Sequence, residues 1–198
     1  MQSTEFTNFL KDIGNKKIIT FNYTQTAEEI FKELKSDDIH HIHGRVRTGE
    51  YSSSNKNNNM IFGIEDKKVT EINTNVIGYQ KFYQRIVKQT GSKYESFFGS
   101  ELENITNVII FGHSVDPVDK EIFDNIFRIS RIDNNSSVKN PRFIVVYHDE
   151  QAKREITKNL AIILGKDRLI RLTGQERIIF NHSEDIKKLS KFLLPIPQ

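Results

Sequence analysis

No cysteine occurs among the 198 residues, which excludes disulfides and thiolate zinc sites and is compatible with a reducing compartment. No stretch approaches the ~20 apolar residues of a membrane span, and Met1 to Thr20 lacks the apolar core of a signal peptide. A cytoplasmic protein is therefore expected. Neither sign of charge dominates: 29 basic residues stand against 26 acidic ones. The pairs Lys16-Lys17, Lys67-Lys68 and Lys187-Lys188 are scattered and form no stripe, so they read as solvated surface and a nucleic-acid groove is not expected. The G-x-G-x-x-G fingerprint of a dinucleotide loop is missing, and no internal repeat is evident. What remains is the length of a single domain. Such a chain buries roughly 70% of its unfolded surface and needs neither metal nor disulfide to fold.

The chain is organised around Ile18 to Gly44, IITFNYTQTAEEIFKELKSDDIHHIHG. Ile18, Ile19 and Phe21 form a short apolar run suited to a strand buried on both faces. Asn22, Tyr23 and Thr24 follow at its carboxyl end. Thr26 then reads as an N-cap, with Glu29 completing a capping box, and Ile30, Phe31 and Leu34 recur on one helical face. A second strand, Ile39 to His43, ends in His43-Gly44. In open α/β sheets ligands lie outside the carboxyl ends of the strands, so Asn22 and His43 are expected to face one crevice.

Before this unit, Thr4 to Ile13 reads as a leading helix closed by Gly14. After it, Arg45 to Asn59 is polar and has no apolar period, as in a mobile loop or lid. Met60 to Ile64 reads as a short strand. The stretch from about 76 to 104 is a helical insertion with a break at Gly91-Ser92; its aromatic residues have helical spacing, which indicates packing rather than base stacking. Val108 to Phe111 is a strand running into Gly112-His113-Ser114-Val115-Asp116, and Asp116-Pro117 is a helix start. Asp133 to Asn140 is a polar loop. Phe143 to Tyr147 is a buried strand, followed by a helix from Gln151 to Leu164 closed by Gly165. Leu169 to Leu172 and Arg177 to Phe180 read as two late edge strands, and Ser183 as the cap of a last helix ahead of Pro195-Ile196-Pro197. Strands alternating with helices define an α/β class with a largely parallel, three-layer sheet.

Polar side chains concentrate at three strand ends: Asn22-Tyr23-Thr24, His41/His43-Gly44, and Gly112 through Asp119. Each also has a purely structural reading. Asn22 suits a turn asparagine bonding loop backbone, His43 a histidine satisfied by a carbonyl, and Asp116 a helix cap. His41 and His43, two apart on a strand, share a face, but no acidic third ligand follows at a suitable spacing, so no metal is expected. Gly112-His113-Ser114-Val115-Asp116 has the strand, turn and helix order of a nucleophile elbow, yet Asp116 replaces its second glycine. A serine hydrolase is thus a distant alternative.

FNYT, HIHG and FGHSVDPVD, in this order, resemble the AbiH family of bacteriophage abortive-infection proteins, and the stretch from Val145-Tyr147 through Asn159-Leu160 is similar to it as well. The resemblance runs from about residue 16 to 182. The same three motifs are remotely similar to sirtuin-like NAD-consuming domains. That resemblance implies that Asn22 holds the nicotinamide ribose and His43 acts as general base. It also implies a nucleotide crevice lined by Thr24, Gly44 and Arg45, with Gly112, Ser114 and Asp116 on the cofactor's adenosine side. NAD or a related nucleotide is the implied ligand. Thr24 departs from the aspartate usual in sirtuin-like motifs, and residues 1–15 hold no counterpart of the family's opening strand and glycine turn. The chain therefore resembles the carboxyl-terminal part of an AbiH-type protein. Two functions follow: a phage-defence protein that hydrolyses NAD when completed, working with an unknown protein partner or phage trigger, or a non-catalytic interaction module that keeps the fold.

Overall fold

A computed structural model describes residues 4–46, 59–63, 73–88, 93–102, 104–134 and 140–193. Most of the expected loop at Arg45 to Asn59, the Gly91-Ser92 break, most of the loop at Asp133 to Asn140 and the Pro195-Ile196-Pro197 tail lie outside those residues. The chain packs as two compact units, Met1–Leu10 with Phe98–Gln198, and Lys11–Phe97. Both are α/β, with small parallel sheets flanked by helices in a Rossmann-like layout. No helix among the described residues is long and apolar enough to cross a membrane.

In the unit Lys11–Phe97, β1 (Ile18–Thr20) and β2 (Ile39–His41) pair in parallel, with Ile18 opposite Ile39 and Thr20 opposite His41. The amide of Ile42 bonds the Thr20 carbonyl at 3.0 Å and carries the ladder one residue further. Parallel strands need a crossover. Here it contains α2 (Thr26–Ile30) and a 3-10 turn, Ser36–Asp38. The α2 helix is shorter than its apolar spacing suggested and buries none of its residues. Gln25, not Thr26, occupies its N-cap position and makes no side-chain cap; the Thr26 hydroxyl instead meets the Thr24 hydroxyl at 2.8 Å. A single turn and a half of helix gives a capping box little to stabilise. Farther along are α3 (Lys81–Val87) and α4 (Lys93–Gly99). Phe97 stacks on His40 with ring centroids 5.4 Å apart and has the Lys17 ammonium 5.4 Å from its own centroid, so this aromatic side chain serves packing. Residues 59–63 form no strand; Ile61 makes one bond to the His43 carbonyl.

In the other unit, β3 (Asn107–Ile110), β4 (Arg142–Tyr147) and β5 (Ile178–His182) form a parallel sheet in that order. The central strand RFIVVY is buried on both faces because helices cover both. Ile144 and Val146 pack with Phe6, Phe9 and Leu10 of α1 (Thr4–Asp12) and with Leu189 of α8 (Ile186–Leu193). On the opposite face Phe143 meets Phe127 of α5 (Lys120–Ile129), their ring centroids 4.9 Å apart. Each such side chain contributes about 1.5–3 kcal/mol on burial. The α6 helix (Glu150–Leu164) starts where Asp149 accepts from the Ala152 amide at 2.7 Å and ends at Gly165, whose φ of 83° is a conformation that favours glycine.

Leu169 to Leu172 is not a strand but part of α7 (Lys166–Gly174). Leu169 and Leu172, three apart, are buried, while Ile170 between them is exposed: that is a helical stripe. The last helix takes its cap from Asp185, which accepts from the Lys188 amide at 3.0 Å, rather than from Ser183.

Candidate functional site

At the end of β1 the Thr20 hydroxyl accepts from the Asn22 amide at 3.1 Å and turns the chain. This places the Asn22 carbonyl 3.0 Å from Nδ1 of His41, the last residue of β2. Nε2 of the same ring lies 2.8 Å from Oε1 of Glu28 on α2. Both ring nitrogens of His41 are therefore engaged, one by a backbone carbonyl and one by a carboxylate. Burial works to raise the Glu28 pKa, but the His41 hydrogen bond and the charges of His41 and Arg45 overcome it, and the carboxyl ends below its ordinary value. Arg45 Nη1 stands 3.4 Å from the same oxygen. Glu28, His41 and Arg45 thus form a linked acid–base group, positioned by the parallel pairing of β1 with β2.

His43 lies just past β2 and is almost wholly buried, at 4% exposure, beside the rings of Phe21 (5.7 Å) and Tyr23 (6.0 Å). Its carbonyl accepts from Ile61, and the Tyr23 hydroxyl donates to the Ile61 carbonyl at 2.6 Å. Asn22 and Thr24 are exposed. Gly44 is buried at φ 77°, and a Cβ there would stand 2.3 Å from the Asn59 carbonyl oxygen, so backbone passes where any side chain would be.

The third strand end, after β3, belongs to the other unit. Gly112 is exposed at φ 65°, with open space where a Cβ would project. The Val115 amide donates to His113 Nδ1 at 2.8 Å, which leaves the ring proton on Nε2, 3.7 Å from Asp119. Asn159 on α6 donates to the Ser114 carbonyl at 3.0 Å. Asp116 caps the following turn by accepting from the Val118 amide at 2.9 Å. Buried Val115 sits at φ 54°, an uncommon conformation for a β-branched residue. A pyrophosphate at this helix start would meet the Asp116 carboxylate and find the Val118 amide taken. The fit to a phosphate cradle is poor there, and Asp116 is explained by capping.

Sequence reasoning singled out His43 and Asn22 and passed over Glu28, which was masked by the Thr26–Glu29 box pattern. No local spacing links Glu28 to His41; only the strand pairing does. His41 was weighed as a metal ligand, whereas its two nitrogens face Glu28 and a carbonyl. Among the described residues no group of three His, Asp or Glu side chains could hold a metal ion.

Parallel strands joined by helices, with polar side chains gathered at the strands' carboxyl ends, define a Rossmann-like α/β protein. Within that class, a family model described as "Bacteriophage abortive infection AbiH" matches residues 1–140, and the chain belongs to this family. The match takes in all three strand-end motifs and stops just before β4. No curated protein and no solved structure matches the chain.

Proposed function

We propose that this protein serves bacteriophage abortive infection by binding, and when fully assembled hydrolysing, a nucleotide of the NAD type at the ends of β1 and β2. The observation that carries this reading is the linked group of Glu28, His41 and the Asn22 carbonyl, with Arg45 against it and His43 next to it in the chain. In NAD hydrolysis water replaces nicotinamide at the ribose carbon and one proton is released. His43 is assigned to take that proton and Asn22 to hold the ribose hydroxyls. Arg45 supplies positive charge for phosphate, and Thr24 and Gly44 shape the rim. A cytoplasmic location and a phage-derived trigger accompany this reading.

The test is purified protein scored for nicotinamide release, beside thermal shifts with NAD, ADP-ribose and ATP. NAD should raise the melting temperature, and Asn22→Ala should abolish that shift. Turnover by the isolated chain should be weak, and His43→Ala should reduce whatever is present by about 10²–10⁴-fold. A second reading, a non-catalytic interaction module, draws on the burial of His43 between Phe21 and Tyr23. The absence of any shift with all three nucleotides would select it.

A further inference from the structure

At the far end of α5 from the Gly112 turn is a cavity of about 510 Å³, whose walls include Asp124, Arg128, Arg131, Asp133 and Arg168. Asp133 is its internal anchor. Arg168 grips it with two prongs, Nε to Oδ1 at 3.0 Å and Nη2 to Oδ2 at 2.5 Å, and Arg171 adds Nη2 to Oδ1 at 2.5 Å. These bonds fix two guanidinium planes of α7 while using three of their ten N–H groups. Arg128 bonds Asn125 at 3.2 Å. Arg131 is held at φ 49°, and its carbonyl, with that of Asn134, accepts from Asn140. Three arginines, Arg128, Arg131 and Arg168, line the cavity with two aspartates, an excess of one positive charge, while Arg171 bonds Asp133 from outside that lining. Burial moreover raises the Asp124 pKa, against the pull of Lys120 and Arg168.

We propose that this cavity is a second ligand site, which takes the phosphate of a nucleotide-sized organic phosphate. A phosphate group matches the sign of the surplus charge, and planar guanidinium forks match its oxygens. The volume suits a small molecule rather than an extended strand. Asp133 acts as the resident counter-ion that holds Arg168 at the cavity wall, opposite Arg128 and Arg131. The site is independent of the group at Glu28 and His41 and does not rest on the NAD reading.

The experiment is calorimetric titration of the whole chain at low salt with inorganic phosphate, pyrophosphate, AMP and ADP. Saturable binding is expected for the nucleotides, weakened about tenfold or more in the double variant Arg128→Gln/Arg131→Gln, which spares the Asp133 clamp. Three results would overturn the proposal: no saturable binding at millimolar ligand, no change in the double variant, or single-stranded RNA binding where ADP does not.

Discussion

At the end of β3, polar side chains bond backbone: Asp116 takes the Val118 amide, His113 the Val115 amide, and Asn159 reaches the Ser114 carbonyl. At the ends of β1 and β2 His41 also meets backbone, at the Asn22 carbonyl, but Glu28 adds close side-chain bonds to His41 and Arg45, whereas His113 and Asp119 after β3 stand 3.7 Å apart. The two places use similar residue types with different physical results. A side chain that bonds backbone fixes a conformation, and its loss is felt as stability. Ionisable side chains that bond one another hold a proton and a charge, and their loss is felt as chemistry. That contrast is why the β1–β2 end is the better candidate site, although the Gly112–Asp116 turn has the more suggestive sequence.

The glycines break the comparison most sharply. Gly44 has a positive φ and also backbone 2.3 Å from where a Cβ would be, and backbone cannot rotate aside. Gly112 has a positive φ and open space. Gly44→Ala should therefore cost at least about 3 kcal/mol, and Gly112→Ala about 1–2 kcal/mol from conformation alone. Denaturant midpoints of the two variants measure this directly. Equal losses would mean that the close approach at Gly44 is not a constraint.

Asp116 gives the next effect. As a cap on the Val118 amide, it should lose about 1 kcal/mol on substitution by alanine and little on substitution by asparagine, which can accept the same bond. If Asp116→Asn abolished a measured nucleotide activity while the melting temperature held, the turn after β3 would join the chemical site.

Much of the fold was legible because its signals are local. The apolar run at Phe143 to Tyr147 and the helix from Gln151 to Leu164 differ from β4 and α6 by one residue at the start. The Asp116-Pro117 start was read directly from residue type, and the structure supplies the bond that explains it. Leu169 to Leu172 misled because a four-residue apolar window fits either period; the neighbouring Gly165 begins a second helix rather than a loop. The position of Asn22, His43 and Gly44 just past strand ends was also legible. Glu28 was not, because its partner is thirteen residues away and is brought to it only by the crossover. Neither was the arginine cavity, whose members come from α5, the segment after it and α7.

The smallest expected effect is the most diagnostic of the β1–β2 group. Glu28 is held below its ordinary pKa by His41 and Arg45 against the opposing effect of burial. A carboxyl with a lowered folded pKa contributes stability above its unfolded value, about 4.3, and loses it as the pH falls through the folded one. The pair is partly exposed, with 27% of the Glu28 side chain accessible, so screening keeps the contribution below about 1 kcal/mol. Asp133, lowered by its Arg168 and Arg171 bonds, and Asp149, lowered by the Ala152 amide, lose charge on the same acid side. The informative quantity is consequently a difference: unfolding free energy of wild type minus that of Glu28→Gln, followed from neutral pH downward. It should be positive at neutral pH and shrink toward zero once Glu28 is protonated in the wild type, with Asp133, Asp149 and the likewise lowered Glu33 cancelling. A difference that stays constant with pH would show that Glu28 packs without holding His41 electrostatically, and the β1–β2 end would then resemble the β3 turn after all.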